Sequence, residues 1–156
     1  MASTLHSDVT TEGIRIQVHP RYLPDYSHPD KGQWVFAYRV VLSNVGDPWA
    51  KLTARHWIII NADGKRSEVR GPGVVGLQPE LPPGATHEYE SFCPIDSPWG
   101  TMEGSYQMAR EDRTPFDAII GRFYLGITAD TETETGNASE EINDDGSTTA
   151  SLRVKR

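Results

Sequence analysis

Apolar and polar residues alternate with a period of two along most of this chain. Ile14, Ile16 and Val18 recur at every second position, the spacing that places side chains on one side of a strand. The longer run QWVFAYRVVLSNV sets Trp34, Phe36, Tyr38, Val40 and Leu42 on one face, with Arg39 and Ser43 on the other. AKLTARHWIIINADG reads as another strand. It ends in an Asn61-Ala62-Asp63-Gly64 turn, and KRSEVR follows at hairpin distance. Ile58 to Asn61 are therefore predicted to pair antiparallel with Lys65 to Val69. Parity along this strand groups Leu52, Ala54, His56, Ile58 and Ile60 on one side and Thr53, Arg55 and Trp57 on the other. The aliphatic row is the expected core face, which leaves Arg55 and Trp57 outside the core as a recognition surface.

A Pro-Pro-Gly loop precedes a strand near Thr86 to Phe92, and TMEGSYQMA and FDAIIGRFYLGIT supply the last two. Met102, Tyr106 and Met108 alternate onto a core face. No window shows an amphipathic helix with caps. Seven to eight short strands punctuated by Gly and Pro predict an all-β fold, an antiparallel β-sandwich of the immunoglobulin-like kind.

Composition changes this picture at the ends. The 156 residues point to one domain, and 37% hydrophobic content is low enough to suggest a polar tail diluting an ordinary core. Between Asp130 and Arg156 seven acids face three bases, so this segment holds −4 of the net charge of −7. Such a stretch buries too little apolar surface to offset chain entropy. The expected division is a flexible N-terminus over 1–11, a sandwich domain over 12–128 and a disordered acidic tail over 129–156. The acidic balance argues against a nucleic-acid partner and against an anionic membrane, both of which need a basic face. No run approaches the length of a membrane helix, and MASTLHSDVT does not read as a secretory signal. A cytoplasmic location is the expectation. The single cysteine, Cys93, allows no intrachain disulfide.

RGPGVVG holds the chain's most suggestive motif. Gly71, Gly73 and Gly76 spell G-x-G-x-x-G, the spacing that cradles a pyrophosphate between a strand and a helix. Here Val74 and Val75 are β-branched, and Pro79, Pro82 and Pro83 follow, so no helix fits after the loop. Turn glycines are the favoured reading. A weak anion contact through Arg70, Gly71, Gly73 and Gly76 is the alternative, since a glycine loop can form an anion nest without a helix. Pro72-Gly73 suits a type II turn with φ > 0 at the glycine.

Other chemistry is thin. None of the five histidines forms an H-x-H or H-x-x-x-H pair, and there is no C-x-x-C, so no metal site or cofactor is predicted. Glu88 and Glu90 flanking Tyr89, and Asp25, His28 and Asp30 in one loop, are read as solvated acids. His56 is expected to be buried, and Cys93 to be an inert thiol. No nucleophile, base and orienter stand at recognisable spacing, so no catalytic residue is assigned. Arg55 and Trp57, a cation beside an aromatic, suit the centre of an interface.

Taken in order, VFAYRV, ARHWIIINADG, EVRGPGVVGLQPELPPG and YESFCPIDSPWGTMEGSYQM resemble the ApaG family over roughly Gly13 to Ile127. The resemblance implies a fibronectin type III-like sandwich and a small bacterial cytosolic protein. The same domain occurs inside larger eukaryotic proteins, F-box proteins among them, as an interaction module. Bacterial members are associated with cobalt and magnesium phenotypes and with a neighbouring diadenosine tetraphosphate hydrolase. The family has no settled activity, and the segment after Asp130 lies outside its pattern. The resulting expectation is a non-catalytic binding module whose partner is another protein, with self-association open. The alternative is a phosphate- or nucleotide-responsive protein linked to divalent-cation homeostasis through the Gly-rich loop.

Overall fold

The computed structural model describes residues 5–127 together with 138–142 and 148–154. Two antiparallel sheets face each other. One carries β1 (Ser7–Thr11), β2 (Ile14–Tyr22), β3 (Trp34–Asn44) and β7 (Thr86–Ile95), in the order β1-β2-β3-β7, extended by β11 (Thr148–Val154) and β10 (Ala138–Ile142). The other runs β5 (Arg66–Pro72), β4 (Ala50–Asn61), β8 (Gly100–Arg110), β9 (Pro115–Leu125), with the short β6 (Glu80–Leu81) beside β4. Two 3₁₀ turns, Pro24–Tyr26 and Pro29–Lys31, are the helical content among the described residues.

The predicted sandwich is what forms, with nine strands in the body. The two without an individual prediction are β1 and β6. The predicted hairpin is present: Ile58, Ile59 and Ile60 of β4 lie opposite Glu68, Ser67 and Arg66 of β5. Alternation delivers the core. Ile14, Ile16 and Val18 of β2, Phe36, Tyr38, Val40 and Leu42 of β3, and Met102, Tyr106 and Met108 of β8 are all buried between the sheets. A smaller cluster of Leu23, Val35, Ala37 and Phe92 lies on the outer face of the first sheet, under the first 3₁₀ turn.

Strands also occur near both ends of the chain. Residues 7–11, expected to be flexible, form β1, because Glu12 and Gly13 both take positive φ and close a two-residue hairpin onto β2. The segment 129–156, expected to be disordered, contains β10 and β11. Thr149 of β11 pairs with Ser91 on the outer edge of β7, since an unpaired edge offers a row of N–H and C=O groups to any extended segment. The rest of that segment, 129–137, 143–147 and 155–156, lies outside the described residues, as does residue 128.

The two sides of the sandwich are closed differently. On one side β1 and β2 pack directly on β9. The Tyr124 N–H donates to the Leu5 carbonyl at 3.0 Å, and the Ile119 N–H donates to Thr11 Oγ1 at 3.1 Å. On the other side β5 and β7 stand apart, and a cavity opens between them.

Candidate functional site

The site begins with one irregular residue. In β4, Leu52 lies opposite Met108 of β8 but Ala54 lies opposite Gln107, so Thr53 is an extra residue in the ladder. A bulge of this kind shifts the alternation by one position, and every side chain beyond it changes face. Leu52 is in the core as predicted. After Thr53 the parity reverses. Arg55 and Trp57 point inward, 8% and 2% exposed, whereas Ala54, His56, Ile58 and Ile60 lie on the outer face and are only partly covered. The expected placement of Trp57 and Arg55 outside the core is corrected by this bulge.

Trp57 sits among Tyr38, Tyr106 and Phe123 in edge-on contacts, with ring centroids 5.2, 6.1 and 5.8 Å away. His56, expected to be buried, instead holds an ion-pair position on the outer face. Its Nε2 is 2.8 Å from Glu68 Oε1, and Arg66 also reaches Glu68. The bonds from His56 and Arg66 hold the Glu68 carboxyl below its ordinary range.

The glycine segment and the Arg-His-Trp segment turn out to be one construction. The Thr53 hydroxyl donates to the Gln107 carbonyl at 3.0 Å, filling the bulge. Its own carbonyl accepts from the Gly73 N–H and from Gln78 Nε2, both at 2.9 Å. Arg55 Nη1 in turn donates to the carbonyls of Pro72 and Gly73, at 2.9 and 3.1 Å. Gly71 lies opposite Arg55 in the ladder, and a Cβ there would sit 2.9–3.0 Å from the guanidinium. At Gly73 φ is +60°, positive as predicted, and a Cβ would fall 2.3 Å from the Leu77 carbonyl oxygen. Val75 and Gly76 both have positive φ and form the tight turn that bonds Val74 to Leu77 in both directions. The N–H groups of Gly73 and Val74 are thus engaged within the fold. Arg70 is exposed on the outer face, 3.6 Å from Glu68, away from the carbonyls that hold Arg55.

The bulge and the loop shape the cavity on the open side. Its volume is about 190 Å³. Trp57, Ile59, Val69, Val74 and Met102 form much of an apolar wall, and Arg55, Tyr38, Tyr89 and Ser91 supply the polar lining. Tyr89 and Tyr106 share a hydroxyl–hydroxyl hydrogen bond, and Tyr38 bonds Ser91. Burial pushes all three tyrosine hydroxyls up, outweighing the pull of the nearby Arg55 charge, so they keep their protons. Burial also pushes the Cys93 thiol up to about 12, which leaves it protonated and a poor nucleophile, as its sequence context suggested.

Of the residues singled out from the sequence, the fold unites Arg55 and Trp57 with the glycine segment, and separates Arg70 from them. Tyr38, Tyr89 and Ser91 were missed as site residues. Their signal was available on β7, where His87, Tyr89 and Ser91 put polar groups at alternate positions of one face. Glu88 and Glu90, on the opposite face, pair with Arg39 and Arg21. Among the described residues no group of three or more His, Cys, Asp or Glu side chains is placed to hold a metal ion, and no helix is long and apolar enough to cross a membrane.

Known proteins resemble this chain along its body. A family model described as the ApaG domain matches residues 24–110. Protein ApaG of Anaeromyxobacter dehalogenans is 47% identical over 121 residues, covering 78% of this chain and 95% of that protein. Protein ApaG of Nitrosospira multiformis is 50% identical over 114 residues, covering 73% and 90%. A crystal structure described as an ApaA protein from Bordetella pertussis superposes with a TM-score of 0.72 at 45% identity, covering 74% of this chain and 94% of that one. With the Arg-His-Trp strand locked to its glycine loop inside an antiparallel sandwich, and relatives this similar over nearly their whole length, the chain belongs to the ApaG domain family.

Proposed function

We propose that this chain is a non-catalytic binding module, and that its partner is another protein docking as an extended segment along the open side of the sandwich. The observation that carries this reading is the asymmetry of the two sides. One side is sealed by β1, β2 and β9. The other leaves β5 at a sheet edge, with an apolar cavity between it and β7, whose far side meets β11 at one residue pair. An open sheet edge next to a pocket is the arrangement that strand-adding recognition uses: backbone bonds supply affinity and the pocket reads a side chain. β7 accepts a strand in this structure, since Thr149 of the same chain pairs with Ser91. The two strands are not equivalent. β5 carries exposed Arg66, Glu68 and Arg70, charges of the kind that discourage edge pairing, whereas β7 already takes up an extended segment at Ser91, so β7 is the docking strand and a partner segment displaces that contact.

The test is capture from lysate by the immobilised full chain, compared with Val69→Arg, which places a charge at the cavity on an exchangeable edge strand. Partners held by the wild type should be lost from the variant while its unfolding midpoint stays within a few degrees. Equal capture by both proteins would remove the open side from consideration.

A further inference from the structure

We infer that the inter-sheet cavity is a binding site for a small apolar carboxylate, a compact ring or branched chain ending in one carboxylate group. This goes beyond the docking of a protein segment: it needs the interior of the cavity and not pairing along β7.

Size sets the first limit. A dry cavity of about 150 Å³ takes a benzene ring, and this one, at about 190 Å³, has room for a ring and one small substituent. Lining sets the second. Trp57, Ile59, Val69, Val74 and Met102 present apolar surface, which favours a hydrocarbon body and excludes a bare, strongly hydrated anion such as phosphate. Charge sets the third. Arg55 lines the same cavity and is 8% exposed. A guanidinium has only donors, in a planar fork matched to a carboxylate. Its orientation is fixed beforehand by the Pro72 and Gly73 carbonyls, so little rotamer freedom is lost on binding.

The hydroxyls around it belong to the same chemistry. Tyr38, Tyr89 and Tyr106 all lie within the electrostatic reach of Arg55 and all remain protonated. The Tyr89–Tyr106 pair holds two hydroxyl protons and uses one between its own oxygens, which makes the pair a donor. Among residues 5–127 no carboxylate side chain lines the cavity. A site rich in donors with apolar walls distinguishes a carboxylate from its neutral analogue, because only the anion meets Arg55 with charge-assisted bonds.

Benzoate, benzyl alcohol and inorganic phosphate separate these requirements. Each is titrated into the full chain by calorimetry, with the Trp57 indole resonance followed in parallel. Benzoate is expected to bind with Kd of about 1 mM or tighter and to shift Trp57; benzyl alcohol should bind at least about tenfold more weakly, and phosphate should leave Trp57 unmoved. Two variants keep the test open if one fails to fold. Val69→Phe, which fills the cavity from β5, should abolish the Trp57 shift. Tyr89→Phe should weaken benzoate several-fold while leaving benzyl alcohol unchanged. Equal binding of benzoate and benzyl alcohol, a phosphate response at Trp57, or benzoate binding intact in Val69→Phe would each overturn the inference. None of these readouts involves a protein partner, so the docking proposal stands or falls separately.

Discussion

The closed and open sides of this sandwich are built from similar residues put to different ends. On the closed side, Phe123 of β9 is fully buried and stacks edge-on against Trp57, and backbone bonds stitch β9 to the N-terminal segment. On the open side, the equivalent interior of β7 carries Tyr89, Ser91 and Cys93, and the space in front of them is left unfilled. Filling it with aliphatic side chains would add burial worth about 25 cal/mol for every Å² removed from water. The fold instead places a buried cation and hydroxyls there and holds them with a bulge and a glycine turn. The contrast teaches where stability and recognition divide: the sealed side holds the two sheets together, and the open side keeps a shape.

The largest effect should come from breaking the sealed side. Phe123→Ala is expected to cost about 3–5 kcal/mol, read as a lower urea midpoint at unchanged slope, and to loosen Trp57 from its ring contacts. If the loss is below about 1 kcal/mol, the sealed side is not the stable half. Gly73→Ala acts on the open side through the loop. It combines a positive φ with a collision at the Leu77 carbonyl, and should cost about 2–3 kcal/mol. The accompanying sign is a change at Arg55 and Val74 in amide spectra, because both depend on that loop. A neutral Gly73→Ala would show that the loop relaxes without disturbing the cavity.

Acidification should give the smallest and most local effect. Burial lowers the His87 pKa below its ordinary value near 6.5, so the folded state takes up a proton less readily than the unfolded one. His87 then costs nothing above the unfolded pKa, and stability falls as pH drops below about 6.5. His19 is lowered too, by burial first and by Arg39 next, and adds in the same direction. Amide protection factors in β7, taken relative to the intrinsic exchange rate at each pH, should fall between pH 7 and pH 5 before those in β9, and His87→Gln should weaken the β7 response. An equal loss of protection in β7 and β9 would remove the distinction between the sides at this level.

Much of the body was legible because strands advertise themselves by alternation. The β2 and β3 faces, the β4–β5 hairpin and the positive φ at Gly73 all follow from local rules. β1 was missed because SDVTT has a weak apolar rhythm, and its pairing comes from the Glu12-Gly13 turn. The face of Arg55 and Trp57 was misread for a different reason. Both rows of β4 contain large apolar residues, so parity alone chooses between them, and Thr53 resets parity without any local mark. The cavity was invisible for the same cause: it is assembled from β3, β4, β5, β7 and β8, which meet only in three dimensions.

The bulge at Thr53 makes β4 unusual in how it can change over time. Exchange of one side chain for another leaves the phase of the strand intact, and its effects stay local. Loss of one residue between Lys51 and Ala54 would turn the rest of the strand inside out, carrying Trp57 into water and His56 into the interior. β4 thus behaves as a ruler whose graduations cannot be added or removed singly without turning the strand beyond them inside out.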